Sequence, residues 1–141
     1  HYTTSELDYM SLHAHNLFDL DQVDESITYY SEVAKHDEDG TAWMHLGNAY
    51  LKKDRLDDAI RAHHASLKLD PKDAIGWFNL ACSYARKMQT VKACNALLVA
   101  FGTARNHDKL MLDIKSDTDF DKIRNEPEFK KFISKSWEDL F

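Results

Sequence analysis

Apolar residues along this chain fall into short stripes at three- and four-residue steps, separated by polar breaks. Trp43, Leu46, Gly47 and Tyr50 stand at i, i+3, i+4 and i+7, which is one face of a helix. A second stripe, Leu56, Ala59, Ile60, His63 and Leu67, follows at the same steps. Asp70-Pro71 stops it, because the residue before a proline avoids the helical region. Each stripe needs a partner to cover it, and Gly47 leaves room for a neighbouring helix to come close. The pattern therefore predicts an antiparallel helical hairpin over residues 40–73.

The hairpin recurs. Trp77-Phe78-Asn79-Leu80-Ala81-Cys82-Ser83-Tyr84 repeats Trp43-Met44-His45-Leu46-Gly47-Asn48-Ala49-Tyr50 at a period of 34 residues, and Ala59 and Ser66 return as Ala93 and Ala100. This predicts a further hairpin over residues 74–105. An earlier copy, residues 7–39, shows in Asp21-Gln22-Val23-Asp24-Glu25-Ser26-Ile27, which aligns with Asp54-Arg55-Leu56-Asp57-Asp58-Ala59-Ile60 at an offset of 33. In that register Met10, His13, Ala14 and Leu17 take the Trp, Leu, Gly and Tyr positions; a slip of one would put Tyr9 and Leu12 there instead. The first register is preferred because Ala14 then fills the small-residue site. From residue 106 the repeat lapses. Leu110, Met111, Leu112 and Ile114, then Phe120 and Ile123, are expected to cover the last hairpin, since an open stack leaves its end exposed. Asn125-Glu126-Pro127-Glu128 reads as a helix start with Asn as its cap, followed by the stripe Phe129, Phe132, Ile133, Trp137.

The period and spacing resemble the tetratricopeptide repeat family, whose pattern is W-x2-L-G-x2-Y, then A-x3-F, then P. Residues 41–73 match through Trp43, Leu46, Gly47, Tyr50, Ala59, Asp70 and Pro71; residues 75–105 depart from it, with Ala81 for Gly, Leu97 for the aromatic and Arg105 for Pro. The resemblance implies an all-α fold, a right-handed superhelical stack of antiparallel helical hairpins. Residues 1–141 would form one such solenoid domain, with capping helices over residues 106–141. It also implies a concave groove, lined by the first helix of each hairpin, that binds a protein or peptide. Carried onto this chain, the groove positions are Ser11, His15 and Asp19, then Met44, His45, Asn48 and Lys52, then Phe78, Asn79, Cys82 and Arg86. Met44 and Phe78 are either partner contacts or contacts to a neighbouring hairpin. A subgroup of the family grips the C-terminal carboxylate of chaperones with Lys, Asn and Arg. Here Ser11, His15, His45, Ile75 and Asn79 stand at those sites, so the basic clamp residues are missing.

Composition narrows the chemistry. With 43% hydrophobic and 30% charged residues, 4 Gly and 2 Pro, the chain reads as an ordered helical protein of 141 residues, one domain in length. No apolar run is long enough for a membrane span, and a net charge of -6 argues against nucleic-acid binding. Residues 1–39 hold ten acids and one base, whereas residues 74–105 hold four bases and no acid. With Lys52 and Arg86 at equivalent positions, this asymmetry suits a partner with an apolar anchor flanked by acidic residues. Two cysteines, Cys82 and Cys94, match no disulfide framework or metal knuckle, which points to reduced thiols in the cytoplasm or another reducing compartment. None of the 8 histidines forms an i, i+3 or i, i+4 pair with another, so no metal site is expected, and His63 reads as a packed core residue. No phosphate-cradling glycine loop or catalytic constellation is visible, so neither a cofactor nor a reaction is expected. The chain starts without Met and suits a domain of a larger protein. These features together favour a non-enzymatic adaptor, assembly or targeting module; the alternatives are a regulatory domain of a larger enzyme and a self-associating structural module.

Overall fold

The computed structural model describes residues 1–135, and among them every regular element is helical. They fall into two compact units, one of His1–Pro71 and one that begins at Lys72.

In the first unit, α1 (Thr4–Asp19) and α2 (Val23–Ala34) form one hairpin, α3 (Thr41–Lys52) and α4 (Leu56–Leu69) the next, and α2 packs on α3. Thr3 and Glu6 start α1 with reciprocal 3.1 Å side-chain to backbone bonds, which satisfy two of the helix's otherwise unpaired amides. Ala14 is fully buried and Leu17 nearly so, while Tyr9 and Leu12 stand out in solvent, so the first of the two sequence registers is the one adopted. Ala14, Val23, Ile27, Tyr30, Leu46 and Ala49 belong to the core, with Trp43 and Tyr50 half-buried at its margin. Gly40 precedes α3 at φ 90°; a Cβ there would lie 2.6 Å from the Ser66 carbonyl, and Ser66 Oγ donates to the Gly40 carbonyl at 2.7 Å. Asp70 ends α4 before Pro71, as the sequence predicts.

In the second unit, α5 (Ala74–Arg86) and α6 (Thr90–Thr103) form the third hairpin. Buried Ala81, Ala85, Ala93, Ala96 and Ala100 keep side chains short along these two helices. α7 (His107–Ser116), a 3-10 helix (Thr118–Ile123) and α8 (Pro127–Ser134) follow; the 3-10 helix packs on α5 and α8 on α6. Ile114, Phe120, Ile123 and Phe129 are wholly buried, whereas Leu112, expected to be covered, is exposed. Its neighbour Ile114 takes the buried place because one helix face cannot hold both. Phe120 stacks on Phe129 and Phe101 meets Phe132, with ring centroids 5.5 and 5.8 Å apart. Arg124 ties the segment together, donating to the carbonyls of Lys115 at 2.8 Å and Asp117 at 2.5 Å. Glu126, not Asn125, is the residue before α8, because Pro127 occupies the first helical position and leaves Asn125 one residue too early to cap. Trp137 lies outside the described residues.

Each hairpin turns through one residue at positive φ: Asp21, Asp54 and Met88 at 62°, 59° and 59°. The next amide then reaches back into the preceding helix, from Gln22 to Leu17 at 2.8 Å, Arg55 to Tyr50 at 2.9 Å and Gln89 to Tyr84 at 3.0 Å. That is a Schellman closure, which satisfies carbonyls at the helix end.

Candidate partner-binding surface

On the first unit, α1 carries Ser11 and His15, and α3 carries Met44, Asn48 and Lys52. All but the exposed Lys52 are half-buried. His15 Nδ1 and the Tyr30 hydroxyl share a 2.5 Å hydrogen bond, and the His15 ring meets His45 edge-on at 4.5 Å. Tyr30 also stacks on His45 at 5.7 Å. Burial, reinforced by Asp19, pushes the Tyr30 phenol up to about 12, and burial beside His15 lowers His45 below the ordinary imidazole value. Tyr30 and His45 are thus held in their uncharged forms. With Phe18 and Asn48 these side chains line a cleft of about 220 Å³.

One helix back, His63 Nε2 donates to Asn48 Oδ1 at 3.1 Å. His63 is almost fully buried, and burial, then neighbouring His64, lowers its pKa to about 4, so it is the packed neutral histidine that the sequence suggests. Gly47 makes room for it: a Cβ there would lie 2.4 Å from the imidazole. Lys52 lies over the Phe18 ring at 4.6 Å and 3.5 Å from Asp21. Phe18 and Tyr30 are lining residues that sequence reasoning misses. Tyr30 aligns with His63 at the offset of 33 that relates the first two repeats, and that alignment is the signal that could have found it.

On the second unit, the corresponding side chains meet the chain's own 3-10 helix. Phe78 touches Phe120 edge-on at 5.7 Å, Arg86 approaches Asp119 at 3.7 Å, and Lys122 donates to the Arg86 carbonyl at 3.4 Å. Cys82 is buried beside Asp119, and burial first, then the charges of Asp119 and Asp117, pushes its thiol far up. Phe78 therefore contacts the capping segment, where the sequence leaves open a neighbouring hairpin or a partner. Asn79, with Ile75 and Phe78, opens on a separate cleft of about 520 Å³ that Arg105, Lys109 and Leu110 also line. Cys82, Asp117 and Asp119 could each offer a ligand atom within 4.8 Å of the others. Arg86 beside Asp119 and a thiol held protonated both disfavour a cation there. Cys94, also held protonated at about 11 by burial and Glu128, is a free thiol like Cys82.

Helical hairpins at this period, each with a small residue under the facing helix, define an all-α repeat protein of the solenoid class. The tetratricopeptide repeat family model matches residues 11–74 and 46–98, and the chain belongs to that family. No curated protein matches it. Among solved structures, the Yersinia enterocolitica type III secretion translocator chaperone SycD, in a form described as an alternative dimer, is similar at a TM-score of 0.68 and 18% identity, over 98% of this chain and 93% of that one. A second SycD structure gives 0.67 and 18%, over 98% and 90%. MamA gives 0.67 and 18%, over 94% and 80%. No helix among the described residues is long and apolar enough to cross a membrane.

Proposed function

We propose that this chain is a protein-interaction module that binds a partner peptide or helix, with no catalytic role of its own. The observation that carries the reading is the cleft lined by His15, Phe18, Tyr30, His45 and Asn48, with half-buried Met44 and exposed Lys52 on the same helix α3. Apolar surface for an anchor and polar groups for orientation are what a peptide site needs. Ser11 joins this surface from α1. Family membership supports it, as does the likeness in fold to a protein described as a translocator chaperone. On the second unit, Phe78, Cys82 and Arg86 serve the cap, so Asn79 and the cleft beside it are what that unit offers a partner. The partner carries an apolar anchor with an acidic flank, and the adaptor role lies within a larger assembly or protein.

Affinity selection of peptides on the intact chain tests this. Met44→Ala should weaken a selected peptide by about 1 kcal/mol or more while the thermal midpoint holds. Affinity unchanged by Met44→Ala, Asn48→Ala and Lys52→Glu alike would remove the site from α1 and α3.

A further inference from the structure

Granted the partner-binding role proposed for the chain, on which this inference rests, the repeat register narrows which peptide the first unit takes. α3 and α5 are copies at an offset of 34, so Met44, Asn48 and Lys52 correspond to Phe78, Cys82 and Arg86. On α5 those positions already hold a peptide segment, the chain's own Asp119-Phe120. Arg86 takes the carboxylate at 3.7 Å and Phe78 takes the ring at 5.7 Å. Phe78 and Arg86 lie two turns apart on α5, about 12 Å along its axis, and Met44 and Lys52 keep the same spacing on α3.

We propose that the first unit reads an acidic residue followed at once by an aromatic one, the ring entering the cleft beside α1 and α3 and the carboxylate pairing with Lys52. The cleft suits that ring. Its walls are His15, Phe18, Tyr30 and His45, and His15, Tyr30 and His45 meet one another edge-on or stacked, the arrangements aromatic groups favour. At about 220 Å³ it is smaller than ordinary small-molecule pockets and of a size for one side chain. Lys52 lies over the ring of Phe18, one of its walls, and the 3.5 Å contact of Lys52 with Asp21 shows that its head can take a carboxylate. Both partners of that pair are exposed, at 45% and 83% of their side chains, so the pair is weak and a peptide carboxylate can replace it.

The test is a fluorescently labelled synthetic peptide with the sequence of residues 117–124, Asp-Thr-Asp-Phe-Asp-Lys-Ile-Arg, titrated into the intact chain. The expected result is saturable binding, about tenfold weaker when Asp-Phe is reversed to Phe-Asp, and about tenfold weaker for Lys52→Glu, with Lys52→Gln between. Arg86→Glu should leave it unchanged. Loss of binding in Arg86→Glu but not in Lys52→Glu would mean that the peptide displaces the cap, and would overturn the proposal. So would indifference to residue order, or no binding at all. In either of those cases, other selected peptides that lose affinity in Met44→Ala would keep the partner-binding reading alone; their absence would end both.

Discussion

His15 and Asn48 owe their orientation to a bridge that recurs one repeat apart. Each is bonded to a residue fifteen positions later on the second helix, His15 to Tyr30 and Asn48 to His63. In the third copy the same positions hold Cys82 and Leu97, both buried, an apolar answer to the same packing problem. A buried donor that loses its acceptor is costly, whereas replacing both partners together is close to neutral. Asn48→Cys alone should therefore cost about 1–3 kcal/mol in denaturant unfolding, and Asn48→Cys with His63→Leu should recover most of it. A double variant no more stable than the single one would show that the bridge does not fix Asn48. The acid limb of stability carries the same signature. Above about pH 6.5 His63 is neutral folded and unfolded alike; as pH falls from there to about 4, the unfolded chain binds a proton that the buried ring refuses. Stability should thus drop over that window by about 3 kcal/mol from this group, and the double variant should lose that part of the slope. At this scale Gly47 and His63 are legible in the sequence as a small residue and a packed one. The bridges are not, since periodicity tells which face a residue is on and not which polar tip it meets.

Helices and their hairpin pairing follow directly from the stripes, and α4 stops at Asp70 before Pro71 as the proline rule requires. The cap is only half legible. Phe120, Ile123, Phe129 and Phe132 stand out along the chain as its apolar residues, and they are buried. That Phe120 and Ile123 cover the last hairpin is legible, but which face of it they meet is not, because a 3-10 helix of six residues has too few turns to display a periodic face. Nothing in Thr118–Ile123 announces that it will cover Phe78 and Cys82, two positions that the family resemblance assigns to a groove. The packing makes a quantitative demand on this element. Phe120 is fully enclosed, with its ring between those of Phe78 and Phe129, so Phe120→Ala should cost about 3–5 kcal/mol by cavity formation. Trp77→Ala, at a half-buried residue, should cost less. A Phe120→Ala variant with an unchanged thermal midpoint would mean that the 3-10 helix does not hold the cap in place.

For the molecule as a whole, the asymmetry of charge along the sequence is partly taken up nearby. Asp21 and Asp24 of the first repeat pair with Lys52 and Lys53 of the second at 3.5 and 3.4 Å while staying mostly exposed. These are exposed pairs and contribute little to stability, which leaves the lysines available to a partner. The four bases of residues 74–105 divide differently, since Arg86 is engaged by Asp119 of the cap. The recognition surface proposed above thus lies on the first unit, which family resemblance locates only as one of three equivalent stretches. The direct test is a nuclear magnetic resonance titration of the isotopically labelled chain with a peptide from affinity selection. The account predicts that the largest amide shifts at saturation fall on Ser11, His15, Met44, Asn48 and Lys52, the residues that α1 and α3 contribute to the proposed surface. Shifts that leave those residues untouched and gather on α2 and α4 would contradict it.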